Sequence, residues 1–180
     1  GTVLVQDIRS GSQGSSPSNF VIFNGQVFFT ANDGTGGVEL WKSDGAAVGT
    51  ALVKDIRPGS GSSNPGLLTS MGGALFFVAN DGTLGNELWK SDGTSAGTFL
   101  VSDIVGGSSS SSPLQLTVVG TRLYFSAVDN GHARELWSTD GTLAGTSLAK
   151  DIWPGGTESR PERLANLGGT LYFSANDGVH

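Results

Sequence analysis

The strongest constraint on this chain is that it repeats itself every 48 residues. A Gly-Thr dipeptide returns at Gly1-Thr2, Gly49-Thr50, Gly97-Thr98 and Gly145-Thr146, and residues 1–48 match residues 49–96 at 27 of 48 positions. The string ELWKSDG runs from Glu39 to Gly45 and from Glu87 to Gly93, and it returns as ELWSTDG from Glu135 to Gly141. A period of this length means that one small supersecondary unit is stacked in tandem, each copy burying faces it could not bury alone. Counting by Gly-Thr gives units 1–48, 49–96, 97–144 and 145–180, the last without an ELW element.

Inside each unit the apolar residues alternate, and no stretch has a helical period. In the second copy the pattern predicts strand a at Leu67–Ser70, strand b at Ala74–Asn80, strand c at Asn86–Ser91 and strand d at Phe99–Ile104. Asp81-Gly82 and Asp92-Gly93 supply turns, because glycine accepts positive φ and aspartate bonds back to its own backbone. Strand b is partly apolar on both faces, with Leu75, Phe77 and Ala79 on one side and Phe76 and Val78 on the other, so the sheets are expected to lie between neighbours. Four short strands per unit with one aromatic signature predict an all-β fold of tandem four-stranded antiparallel blades. The expected arrangement is a β-propeller of about four blades, alone or within a larger ring or array.

Composition removes several function classes. There is no cysteine, hence no disulfide framework and no thiolate metal site. Sixteen acidic against ten basic residues give a net charge of −6, and no Lys/Arg cluster is present to neutralise phosphates, so a nucleic-acid partner is not expected. No apolar run approaches the roughly 20 residues a membrane helix needs, so membrane insertion is not expected either. The chain opens on Gly1-Thr2 with neither an initiator Met nor a signal peptide, which reads as a piece of a longer, processed polypeptide.

The ELW strings, each followed by an Asp-Gly turn and then Gly-Thr, resemble the ELWxxDGT-repeat family of bacterial secreted and surface proteins, and the resemblance covers essentially the whole chain. It implies a propeller-like architecture and an extracellular or cell-surface location, and it implies no ligand or reaction. The first copy departs from the pattern with Ala46 where the others have Thr94 and Thr142.

Asp33 with Glu39, and Asp81 with Glu87, are spaced so that a tight loop could bring two carboxylates together, a start toward the 6–8 hard oxygens of a calcium site. The scaffold alternative is that Asp caps its own turn while Glu takes backbone or Lys bonds at a sheet edge; Arg134, in the third copy's loop, could stand in for a cation. Asp7, Asp55, Asp103 and Asp151 are expected to draw amides from the Gly/Ser-rich chain that follows them, and Asp44, Asp92 and Asp140 to be turn residues. Trp41, Trp89 and Trp137 are expected to pack between blades, each indole N–H meeting a carbonyl.

Trp153 takes a position held elsewhere by Arg9, Arg57 and Val105; it is expected first to cover the edge of its own terminal unit, and second to be a platform for a sugar ring or a partner's apolar patch. Arg160 and Arg163 stand in the same loop region, and His132 and Arg134 are the unusual residues of the third copy. The loops from Gly11, Gly59, Gly106 and Gly155 to the following prolines vary most, and the run Ser108–Ser112 is a candidate acceptor of O-glycans. A glycosidase pair needs two carboxylates in different environments, whereas each acid here recurs in equivalent settings. The expectation is therefore a non-catalytic extracellular module for recognition or adhesion, its partner a glycan or a surface protein. The alternative is a segment of a surface fibre that self-associates through its incomplete terminal unit.

Overall fold

The computed structural model describes residues 1–180. Its regular structure is antiparallel β throughout, with no helix and hence none long and apolar enough to cross a membrane. The strands are β1 (Ser18–Phe23), β2 (Gln26–Asn32), β3 (Val38–Ser43) and β4 (Ala51–Lys54) in a first sheet, and β5 (Gly66–Met71), β6 (Ala74–Asn80), β7 (Asn86–Ser91) and β8 (Phe99–Ser102) in a second. A third sheet contains β9 (Leu114–Val119), β10 (Arg122–Val128), β11 (Arg134–Thr139) and β12 (Ser147–Lys150). The fourth has two strands, β13 (Glu162–Leu167) and β14 (Thr170–Ser174).

Every strand pairs with its sequence neighbour, as short hairpin turns require. Strands b and c of the second copy have the predicted limits, while a is longer and d shorter. Each sheet draws its fourth strand from beyond the Gly-Thr marker, so the structural unit runs 18–54, 66–102 and 114–150 rather than with the counted repeat. Residues 1–17 correspond to a lone strand d and its loop, and they form no strand: without a strand c beside it, that segment has no ladder to join.

The sheets pack face to face in succession. Phe28, Leu40 and Val53 of the first meet Leu75, Phe77, Ala79 and Trp89 of the second in one core. On the other face of the second sheet, Phe76, Leu88 and Val101 meet Leu123, Phe125 and Ala127 of the third, with Trp137 packed alongside. Apolar residues on both faces of strand b are thus what a stacked sheet needs. Lysines add polar ties between sheets: Lys42 Nζ donates to the Gly93 carbonyl at 2.8 Å and Lys90 Nζ to that of Gly141 at 2.6 Å.

The Gly-Thr marker belongs to the turn between strands c and d. Thr98 lies 2.7 Å from the hydroxyl of Ser91 and donates to the Thr94 carbonyl, and the same bonds recur at Thr50 and Thr146. Thr94 also donates its hydroxyl to Asp92 and accepts from Gly97 N–H. Ala46 forfeits both bonds, and Gly49 N–H turns to the Ala46 carbonyl instead. Ala46→Thr is therefore expected to stabilise the chain by about 1 kcal/mol, read as a higher urea midpoint at unchanged slope.

Candidate functional site

The recurring glutamates and the recurring turn aspartates are spent on the scaffold. Glu39, Glu87 and Glu135 are buried, at 1%, 0% and 0% exposure, on an inner strand and not at a sheet edge. Each carboxylate gathers three donors from the chain that leads into the next sheet. Glu39 accepts from Ser63 N–H at 2.9 Å, Ser63 Oγ at 2.5 Å and Ile56 N–H at 3.1 Å. Glu87 does the same with Ser111 and Ile104, and Glu135 with Ser159 and Ile152. The three serines are fully buried. Their own carbonyls accept from the end of the next strand b, at Asn80, Val128 and Asn176.

One carboxylate therefore staples strand c of one sheet to the loop that seats the following sheet. Burial pushes the carboxyls of Glu39 and Glu87 above the usual range against the pull of these donors, since no cation sits beside them. The serines were the residues hardest to foresee. The signal was there, in Ser15, Ser63, Ser111 and Ser159 recurring 48 residues apart two positions before proline, but it lies in loops otherwise variable. The run Ser108–Ser112 is accordingly not a uniform glycan acceptor: Ser108 and Ser109 are exposed, while Ser111 is sealed onto Glu87.

The partnered aspartates go elsewhere. Asp33 Oδ1 accepts from Thr35 and Gly36 amides, and Asp81 from Thr83 and Leu84, bonds that lower both carboxyls. Thus Asp33 serves its turn while Glu39 faces the interior, and the two do not form a shared oxygen site. Asp92 and Asp140 are turn residues as expected, lowered first by the Thr94 and Thr142 hydroxyls, and Asp44 accepts from Ala46 N–H.

Asp103 gathers the Gly106 and Gly107 amides. Asp55 and Asp151 do not follow it: their Oδ1 atoms are buried without partners, because Pro58 and Pro154 stand where Gly106 supplies its N–H. The Asp7 side chain accepts no amide, and it is exposed. The indoles also depart from expectation. Trp89 and Trp137 pack between sheets, but Trp41 lies on the outer face of the first sheet, and the N–H groups of Trp41 and Trp137 are buried without a carbonyl.

The unusual residues of the third and fourth copies largely have intramolecular work. The Trp153 indole lies over Gly178, where an added Cβ would come within 2.5 Å, just as Arg9 covers Gly34 and Arg57 covers Gly82. In the third copy the covering residue is the short Val105, the glycine is replaced by Asn130, and Asn130 donates to the Val105 carbonyl. Arg134 donates to the carbonyls of Ser112 and Ser126, and burial lowers its pKa. His132 Nδ1 sits 3.0 Å from Asp129 and Nε2 3.9 Å from Asp151, so its pKa is raised, chiefly through Asp129. Arg160 pairs with Glu158. Of the expected contact residues, Trp153 and Arg163 make no side-chain hydrogen bond or ion pair, and Arg163 is exposed.

Arg163 belongs to a feature absent from the sequence reading. Strand a of each sheet carries a bulge whose second residue is left-handed, at Asn19 (φ 54°), Leu67 (56°), Gln115 (60°) and Arg163 (57°). A non-glycine residue there costs roughly 1–2 kcal/mol and needs a surrounding structure that enforces it. Asn19, Leu67 and Gln115 line an open hollow of about 570 Å³ between strands a, floored by Val21, Leu68 and Leu116. The backbone at this position is the same four times, and the side chain is different each time.

No family model and no curated protein matches the chain. Among solved structures it is similar to a puromycin hydrolase mutant complexed with PGG, at 17% identity and a TM-score of 0.57, over 88% of this chain and 25% of the hydrolase. It is also similar to the computationally designed Ika8 protein, at 21% identity and a TM-score of 0.51, over 97% of this chain and 46% of Ika8. The chain thus spans a quarter and about half of the lengths of these two proteins, and at such identities the likeness is one of fold.

Proposed function

We propose that this chain is a run of β-propeller blades acting as a non-catalytic binding module, extracellular or at a cell surface, with a glycan as the ligand class. The observation that carries this reading is the division of labour between positions. Recurrent glutamates and the Asp-Gly turn aspartates are consumed by staples and turns, while the left-handed position of strand a varies in every copy and faces the shared hollow as Asn19, Leu67 and Gln115. The Asn19 and Gln115 amides beside an apolar floor suit a hydroxyl-rich ring, which offers both donors and a hydrophobic face. The hydrolase likeness lends no activity, because it extends over a quarter of that protein. A glycan array probed with the labelled chain tests the proposal: saturable binding weakened by Gln115→Ala and Asn19→Ala supports it. No binding, or binding indifferent to both changes, overturns it.

A second reading, a segment of a surface array, is favoured by apolar side chains at the two ends of the stack. Phe20 is 63% and Ile22 75% exposed at one end, and Leu167 71% and Tyr172 55% at the other. Light scattering that finds a monomer at all concentrations rejects it. Calcium is not part of either reading, since Glu39 and Glu87 have their oxygens filled. EDTA is expected to leave the melting temperature unchanged, and a fall would return a cation to Asp33 or Asp81.

A further inference from the structure

The three Glu–Ser staples define a socket, and the structure contains a fourth socket with no carboxylate in it. In each internal copy the donors are the N–H of an Ile and the N–H and Oγ of a Ser seven residues later. The equivalent residues at the outer face of the first sheet are Ile8 and Ser15. Ser15 is already seated as its counterparts are, its carbonyl accepting from Asn32 N–H at 2.9 Å, against 3.0 Å for Ser63 and Asn80 and 2.9 Å for Ser111 and Val128. Neither Ile8 N–H nor the Ser15 hydroxyl has a side-chain acceptor.

Beside these donors lies a groove of about 630 Å³, lined by Leu4, Val5, Ile8, Phe20, Val27 and Phe29. Its wall is the same surface that elsewhere receives a neighbour. Leu75 and Leu123, the counterparts of Val27, are 0% exposed beneath the preceding sheet, whereas Val27 is 36% exposed. The other wall, residues 3–6, corresponds to β4, which pairs with β3 at Leu40↔Lys54 and Trp41↔Leu52. Val3 and Leu4 stand 80% and 81% exposed with their backbone unladdered.

We infer that this groove is a docking site for an extended Glu-Leu-Trp segment lying outside residues 1–180. The segment adds as a strand beside residues 3–6, sets its carboxylate on Ile8 and Ser15, and buries its leucine against Val27 and Phe29, as Leu40 is buried between the first two sheets. A second copy of this chain does not supply that strand as folded, because its own three ELW strands are internal to their sheets. The inference rests on the repeated socket and not on the glycan reading, so failure of either leaves the other standing.

The test uses the whole chain and a fluorescein-labelled peptide matching residues 86–94, NELWKSDGT, followed by anisotropy and by amide exchange of the protein. Saturable binding is expected. It should be weakened about tenfold by Ser15→Ala in the protein, the loss of one charge-assisted bond, and about a hundredfold by alanine in place of the peptide's glutamate, the loss of three. Slowed exchange at residues 3–8 and at Ser15 is expected on binding, a readout that does not depend on any variant folding. Absence of saturable binding, equal binding of the alanine peptide or of a reversed-sequence peptide, or protection confined to other residues would overturn the inference.

Discussion

Glu87→Ala is expected to lower stability by about 2–4 kcal/mol, because it strands three donors, the N–H and hydroxyl of Ser111 and the N–H of Ile104, in a buried loop. Glu87→Gln, which keeps the shape and one carbonyl acceptor, should cost about 1 kcal/mol. The pair separates loss of volume from loss of acceptor, and urea unfolding reads both. A second signature is in pH. Burial raises the Glu39 and Glu87 carboxyls, so the stability they contribute is present below about 4.5 and is lost as pH rises through their folded values. His132 is raised as well, so its contribution is complete below about 6.5 and is lost above, in the same direction.

The turn aspartates work oppositely. Asp33, Asp81, Asp92, Asp129 and Asp140 are lowered, and Asp177 is lowered to about 2, chiefly by hydrogen bonds from backbone amides, threonine hydroxyls or the His180 and His132 rings. Their contribution is present above about 3.8 and is lost as pH falls through the folded values. Stability should therefore peak on the acid side of neutrality, between the aspartate and glutamate ranges. Glu87→Gln should flatten the decline above the peak. A midpoint that rises steadily from pH 4 to pH 8 would show that the staple carboxylates are not desolvated as described.

Gly85→Ala is the other large effect. Gly85 has φ +77°, and an added Cβ would stand 2.5 Å from the Ser109 carbonyl oxygen and 2.7 Å from its carbon, backbone atoms of the loop that carries Ser111. The left-handed conformation costs an alanine about 1–2 kcal/mol and the overlap about 1–3 more, so a loss of about 3 kcal/mol or greater is expected. The third copy provides the internal control. Its equivalent residue is Ala133, and neither Ala133 nor Asn130 has positive φ, because that loop turns through an Asp129 N–H to His132 carbonyl bond. Ala133→Gly should cost only about 0.5–1 kcal/mol, the entropy of a freer backbone. Equal effects at the two positions would mean that the close approach at Gly85 is not present in solution.

Much of the scaffold was legible because its rules are local. Strand b at Ala74–Asn80 and strand c at Asn86–Ser91 follow from alternation, and the Asp-Gly turns from their own chemistry. The staple was not legible, because a glutamate on a strand and a serine in a variable loop are both ordinarily solvated residues. Only their contact across 24 residues makes them interior. The left-handed bulge was hidden for a related reason: Asn19, Leu67, Gln115 and Arg163 share a backbone conformation and no side-chain property, so the repeat is invisible at the position where the copies differ most. For Trp153 the sequence left packing and platform both open, because its partner, Gly178, belongs to the next turn and has no side chain to announce a contact.

The claim on which the rest depends is that the recurring glutamates Glu39, Glu87 and Glu135 are spent holding successive sheets together. Its most direct measurement is amide hydrogen exchange at Ser63, Ser111 and Ser159, three residues outside any strand. If their N–H groups are bonded to buried glutamates, they should be protected to the level of the strand cores and exchange only with global opening, while Ser15, with no glutamate above it, exchanges quickly. Exchange of all four at the rate of exposed loops would contradict it.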